Sequence, residues 1–157
     1  MSYSIDALTD NCYEGTTCLI NKFDIRDEKQ LAKVEGDITF AKATLLENDP
    51  ISDEFNFEHY KAIHRFLFED IYDWAGQLRT VNISKKGTYF CPADKLEDKA
   101  DKCFKRLREN ELFSDLERSQ FVNEIVDFYC ATNMLHPFRE GNGRTQRIFI
   151  SQLIRRN

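Results

Sequence analysis

The sequence predicts a mainly α fold, a bundle of amphipathic helices carrying one β-hairpin. Three observations predict it. Apolar residues recur at helical spacing in a row of segments between residues 31 and 154, only the interval 78–92 alternates with a period of two, and six glycines and three prolines are few for 157 residues. With 41% hydrophobic residues, 13 Phe and 31% charged residues, the chain fills one ordinary core. No repeat, low-complexity tract or linker divides it, so residues 1–157 are expected to form one domain.

Asp27 with Gln30 three residues on resembles a capping box, and Leu31, Val34, Ile38, Ala41 and Leu45 mark a helical stripe that Asn48-Asp49-Pro50 stops. Tyr60, Ile63, His64, Leu67, Phe68 and Ile71 form a second stripe with charged residues opposite. In 78–92, Val81 and Ile83 alternate with Thr80, Asn82 and Ser84 before Lys85-Lys86-Gly87 and Thr88-Tyr89-Phe90, the pattern of a hairpin. A lone hairpin is marginal, so it must lean on the helices as a flap. Leu96, Ala100, Cys103, Phe104 and Leu107 mark a third helix. Ser114 with Glu117 reads as another capping box, opening a helix striped by Phe121, Val122, Ile125, Val126, Phe128 and Tyr129 and ending near Asn133-Met134. Ile148, Phe149, Ile150, Leu153 and Ile154 form the buried side of a last helix.

A net charge of −5 argues against binding nucleic acid through overall charge. Its distribution says more: residues 139–157 hold five arginines against the single acid Glu140, a net +4, and the remainder is −9. That marks an anion site near the C-terminal end. No run of about 18 apolar residues suggests a membrane span, and the start, MSYSIDALTDNCYEGTT, lacks the order of a secretory signal. The simplest address is the cytoplasm. Cys12, Cys18, Cys91, Cys103 and Cys130 are odd in number and contain no CxxC pair, which favours small apolar fillers over zinc or disulfides.

Two of the six glycines and one of the three prolines fall in the run His136 to Arg147, HPFREGNGRTQR. Gly141-Asn142-Gly143 are three consecutive residues able to take positive φ or leave room for a ligand, and they open a helix whose first N–H groups make an anion nest. Arg144 and Arg147, three apart, can share one face beside that nest. Their guanidinium forks suit phosphate, and two arginines at a helix N-terminus are costly without an anion. Glu140 would repel phosphate unless a divalent cation lies between them, as one carboxylate holds Mg2+ beside substrate oxygens. His136, directed by Pro137, is a base near the same phosphates, and Phe138 turns inward as an anchor. The P-loop and dinucleotide patterns do not fit: GxxxxGK[ST] is absent, and Arg stands where a third glycine is needed.

HPFREGNGRTQR resembles the Fic motif HxFx[D/E]GNGRxxR, matching all of its eight specified positions. The resemblance continues through Asp73-Trp74-Ala75-Gly76, Arg79-Thr80-Val81-Asn82-Ile83-Ser84, Tyr13-Glu14-Gly15-Thr16-Thr17 and Asn21-Lys22. It implies a helical bundle with a β-hairpin flap over the active site, and transfer of AMP from ATP to a Tyr, Thr or Ser hydroxyl of a target protein. By that resemblance His136 is the general base and Glu140 holds Mg2+. Gly141, Asn142 and Gly143 cradle phosphates, Arg144 and Arg147 hold the β/γ end, and Thr145 and Gln146 complete the nucleotide-binding run. Ile83, Ser84, Lys85 and Lys86 form the flap on which the target protein docks, and Tyr13 lines the adenine pocket. An exposed imidazole titrating near 6.5 would suit the base. Other readings stay open: transfer of another nucleotide or a phosphate group from the same site, or a non-catalytic nucleotide-binding module.

Several residues have plainer readings. His64 is expected as a satisfied core histidine, His59 at the surface, Trp74 as a structural plug, and Cys91 as no catalytic thiol. Many Fic proteins are restrained by a helix bearing [S/T]xxxE[G/N], whose Glu pairs with the second motif arginine. Leu31-Ala32-Lys33-Val34-Glu35-Gly36 has the Glu-Gly but Leu in place of the hydroxyl, so Glu35 reads as a core-helix residue. The restraint would come from a small inhibitory antitoxin protein or from sequence outside this chain. The motif helix runs almost to Asn157, so the chain is expected to lack the C-terminal helices of a full Fic core.

Overall fold

The computed structural model describes residues 10–157. The expected lack of a secretory signal rests partly on residues 1–9, which lie outside the described residues. Helix α1 (Glu28–Asn48) starts where the Asp27 side chain accepts the Gln30 amide at 2.8 Å, the cap its sequence predicts. Helix α2 (Phe57–Phe68) is capped in the same way by Asn56, which accepts the His59 amide at 2.8 Å. Helices α3 (Leu96–Glu109), α4 (Arg118–Leu135) and α5 (Asn142–Arg156) complete the bundle. Helix α2 packs against α1, α3 and α5, and α5 against α1, α2 and α4, while α3 and α4 pack against each other. No helix among the described residues is long and apolar enough to cross a membrane.

Fully buried Phe149 of α5 joins the helices through rings. Phe55, His59, Tyr60, Phe104 and Phe128 surround it with centroids 5.3 to 5.8 Å away. Edge-on and tilted geometries predominate, which suits the ring quadrupoles. His59 is therefore not a surface residue. It is 2% exposed, and burial among these rings lowers its pKa. Its helical position faces the core, which the stripe 60–71 does not reveal.

The predicted hairpin is present with short strands. β1 (Ser84–Lys85) pairs antiparallel with β2 (Thr88–Tyr89), Ser84 opposite Tyr89 and Lys85 opposite Thr88. Lys86 and Gly87 turn at φ 49° and 81°, the two positive values a type I′ hairpin needs. Ile83, 3% exposed, packs with Val81 and Phe90 beneath it.

Three helical expectations need correction. In α1, Leu45 is 60% exposed and Ala41 also faces solvent, whereas Leu31, Glu35, Thr39 and Leu46 are buried. The helix turns a partly polar face inward because α5 supplies a partner for it. In α4, Val122, Val126 and Tyr129 are exposed while Phe128 is buried, so the apolar stripe splits into two rows. Nor does Ser114 cap α4. Glu117 is the N-cap without a side-chain bond, and the Ser114 hydroxyl donates to Glu111 O at 2.9 Å within the preceding turn.

Candidate active site

The chain leaves α4 at His136, its C-cap, in the left-handed region at φ 43° and ψ 61°. Pro137 disfavours the right-handed helix for the residue before it, and holding a histidine here costs about 1–2 kcal/mol. The imidazole is 8% exposed and stacks on Phe90 after β2, centroids 3.8 Å apart and planes at 15°. Its Nδ1 lies 3.2 Å from Asn133 O. A carbonyl only accepts, so this bond assigns the ring proton to Nδ1 and leaves the basic lone pair on Nε2. Burial pushes the pKa down to about 4, helped by the positive charges of Arg79 and Lys85. The expectation of an exposed imidazole titrating near 6.5 is thus corrected, since the flap's Phe90 covers the ring.

Phe138 is fully buried, as its anchoring role requires, with its ring 3.8 Å from that of His64 and 5.9 Å from that of Tyr60. His64 is the satisfied core histidine expected. Its Nε2 meets Glu140 O at 2.9 Å and its Nδ1 accepts the Gly76 amide at 2.8 Å. Trp74 stacks on Tyr72 at 4.4 Å, a plug beside this layer. Asn142 closes the loop from the other side, accepting from Phe138 N at 2.8 Å and donating to Phe138 O at 2.7 Å. Its side chain builds the loop, and its backbone opens α5. Only Gly141 takes positive φ, 80°, while Asn142 and Gly143 are already helical.

Glu140 accepts the Gly141 amide at 2.9 Å, and burial followed by the nearby Glu35 charge raises its pKa. Arg144 reaches toward α1: its guanidinium pairs with the Glu35 carboxylate and donates to Thr39 Oγ1 at 3.0 Å. It also lies 3.7 Å from Glu140 and 4.9 Å above the Phe68 ring. The Tyr72 hydroxyl donates to the same Glu35 carboxylate. Glu35 is buried in a core helix, as expected, and the arginine it pairs with is Arg144, the first of the two that the motif pattern specifies. Glu35→Ala strips an acceptor from both Arg144 and Tyr72 and is expected to cost about 1–3 kcal/mol. Thermal melting checks this, at about 2–4 °C per kcal/mol for a chain this size.

Other predicted positions fall elsewhere. Thr145 is fully buried with its hydroxyl on Gly141 O at 3.1 Å, and Gln146 donates to Tyr129 O and Thr132 Oγ1 at 2.8 and 2.6 Å. Both point into the bundle, so their side chains build the helix seat and do not face a nucleotide. Arg147 is exposed, and its guanidinium folds back beside the helix start, Nη1 standing 3.1 Å from where a Cβ on Gly143 would lie. The side chain also lines a depression with Tyr129, Ile150 and Ile154 between α4 and α5. Tyr13 bonds Asn21 O at 3.4 Å beneath Arg26, and its neighbour Cys12 lies 3.9 Å from Arg139 of the motif. Ser84 is buried, Lys85 half-buried and Lys86 exposed at the hairpin turn. Among the described residues no group of three or more His, Cys, Asp or Glu side chains is placed to hold a metal. Sequence reasoning missed Arg79, Phe90 and Thr39, of which the first two contact His136 and the third contacts Arg144. Only Arg79, within the quoted RTVNIS segment, carried any signal.

The profile of the Fic/DOC family matches residues 54–154, from the cap of α2 through the motif loop to α5. The chain belongs to the Fic/DOC family. This Fic chain is 37% identical over 141 residues to the probable protein adenylyltransferase Fic of Escherichia coli (strain K12), spanning 90% of this chain and 70% of the relative. Its structure resembles the N-terminal Fic domain of a Bartonella effector protein (Bep) from Bartonella sp. AR 15-3, with TM-score 0.90 and 28% identity over 98% of this chain and 75% of that one. It also resembles the BepC protein with bound AMPPNP from Bartonella tribocorum, with TM-score 0.87 and 26% identity over 94% and 77%. The helical bundle with its small hairpin is the Fic fold.

Proposed function

We propose that this Fic chain is a protein adenylyltransferase that transfers AMP from ATP to a Tyr, Thr or Ser hydroxyl of a target protein. The observation that carries the reading is the neutral His136, with its basic Nε2, set one short loop before the N-terminus of α5. The name of the E. coli relative and the AMPPNP bound to BepC support it. The target hydroxyl would give its proton to Nε2 as its oxygen bonds the α-phosphorus. The bond from that phosphorus to the oxygen bridging to the β-phosphate would break, releasing pyrophosphate.

Such a reaction needs chiefly positioning and charge neutralisation, with base help worth about 10²–10⁴-fold. The first backbone N–H groups of α5, from Asn142, Gly143 and Arg144, would face phosphate oxygens, because they have no partner within the helix. Arg144 would hold the β/γ end while keeping its contacts to α1. Glu140 fits the role of a lone carboxylate ligand to Mg2+, with phosphate oxygens and water as the other ligands. Bound there, Mg2+ would neutralise charge shared by the α- and β-phosphates. The flap would dock the target by strand addition, since its strands are only two residues long and leave backbone groups to pair. Exposed Arg147 is where a separate inhibitory protein would place a carboxylate.

Incubation with lysate and ATP labelled at either the α- or the γ-phosphate tests the reading. Label on protein from the α-phosphate alone is the expected result. Label from the γ-phosphate alone would replace AMP transfer with phosphorylation, and no label under any condition would leave a binding module.

The lowered pKa of His136 has its own consequence. The base acts when neutral, so activity is lost as pH falls through its pKa, and kcat/KM reports that of the free enzyme. The acid limb of kcat/KM is expected near pH 4. A limb at 6.5 would mean that the ring is not covered in solution.

A further inference from the structure

Buried Arg79 is given no role by the mechanism above. It is 5% exposed, and among the described residues its guanidinium donates to four backbone carbonyls. Nε reaches His136 O at 2.7 Å, and Nη2 reaches Leu135 O at 3.3 Å. Nη1 reaches Val81 O at 2.7 Å, and Nη2 also reaches Cys91 O. The first two carbonyls belong to the turn that carries the base. The other two flank the hairpin, one before β1 and one after β2. Two main-chain bonds run alongside, from Arg79 N to Pro137 O and from Cys91 N to Met134 O, both 2.9 Å. Phe90, between Cys91 and β2, lies on the imidazole.

We propose that Arg79 is a positioning residue that couples the flap hairpin to the imidazole of His136. The proposal rests on the adenylyltransferase reading only for what the two coupled parts do. Burying a guanidinium is costly unless its donors are met, and a purely structural wedge would be apolar at lower cost. What the planar fork adds is reach. Its donors diverge in fixed directions, so one side chain holds carbonyls of two separate segments in a single geometry, which a lysine ammonium cannot do. A shift of the hairpin base therefore moves the guanidinium, and with it the carbonyl of His136 itself. Among the described residues, the charged groups that act on the ring are Arg79 and Lys85. From α4 it meets the Asn133 carbonyl, and from the hairpin the Phe90 ring.

Two readouts that require no transfer of AMP test the coupling: hydrogen exchange at the Phe90 amide, which donates to Ile83 O at 3.2 Å, and ¹⁵N NMR titration of the His136 ring. In Arg79→Lys, exchange at Phe90 is expected to accelerate about tenfold. The His136 midpoint should rise from about 4 toward 6.5 as the ring is uncovered, with AMPPNP affinity unchanged within about twofold. A midpoint that stays put, or AMPPNP affinity that falls along with it, would overturn the proposal. Asn82→Ala provides the second arm and decides alone if Arg79→Lys does not fold. Asn82 is exposed and accepts the Ala93 amide at 2.9 Å, so its loss loosens the hairpin base without touching Arg79. The ring midpoint should move in this variant too, and its failure to move refutes the coupling. Because neither readout uses turnover, the adenylyltransferase reading and the coupling stand or fall separately.

Discussion

His136→Ala is expected to lower the initial rate of AMP transfer by about 10²–10⁴-fold, the worth of general-base catalysis, and to leave AMPPNP affinity within about twofold. Those two outcomes follow from where the ring sits. It caps α4, whereas the proposed phosphate contacts lie at the start of α5 and on Arg144. The loop between them is held independently of the imidazole, by Phe138 under His64 and by Asn142 on the Phe138 backbone. Removing the ring should therefore delete the proton acceptor without disturbing the phosphate seat. Transfer at the wild-type rate would remove His136 from the mechanism. Loss of nucleotide affinity together with rate would make it a binding residue instead.

Gly141→Ala is expected to be among the most damaging single methyl additions in the chain. At φ 80° any L-residue is strained, by about 1–2 kcal/mol. Space is the larger difficulty, because a Cβ there would stand 2.2 Å from Phe68 Cζ and 2.3 Å from Cε2. Phe68 is fully buried and stacked on His64 at 4.7 Å, so the ring has little room to yield. Overpacking of this kind adds about 1–3 kcal/mol. Phe68 also lies beneath the Arg144 guanidinium, so any ring shift reaches the proposed phosphate ligand directly. Denaturant unfolding should show a loss of about 2–5 kcal/mol, and AMPPNP binding should weaken in whatever fraction remains folded. Wild-type stability would show that the loop adopts a different conformation in solution.

What the sequence allowed to be read depended on whether a residue's partner was near or apolar. The stripe of α2, Tyr60 to Ile71, is buried throughout, and α3 follows its stripe closely, because both helices bury one continuous apolar face. α1 was misread for the opposite reason. Its inward face includes Glu35 and Thr39, which make sense only against an arginine more than 100 residues later in the chain. Periodicity counts apolar residues and cannot see a polar pair whose other half comes from α5. The apparent cap Ser114–Glu117 failed because Glu111, Leu112 and Phe113 all take positive φ and turn the chain before α4 begins. The motif placed His136, Glu140, Gly141 and Arg144 in one loop and helix start. It did not reveal that Thr145 and Gln146 are buried, nor that the exposed Arg147 folds back toward Gly143, because spacing fixes a helix face but not the direction a long side chain takes.

The bond between His136 Nδ1 and the Asn133 carbonyl also determines what happens after the chemistry. A carboxylate behind the ring, as in a serine-protease triad, would balance the imidazolium charge. A backbone carbonyl orients the ring but offers no opposite charge and no route onward. Whatever proton arrives at Nε2 must then leave by Nε2, on the same face where the hydroxyl gave it up. As the proposed base, His136 would be a cul-de-sac for protons. Its return to the neutral form would wait on access to that face by water, buffer or departing pyrophosphate, which ties resetting of the base to the opening of the site.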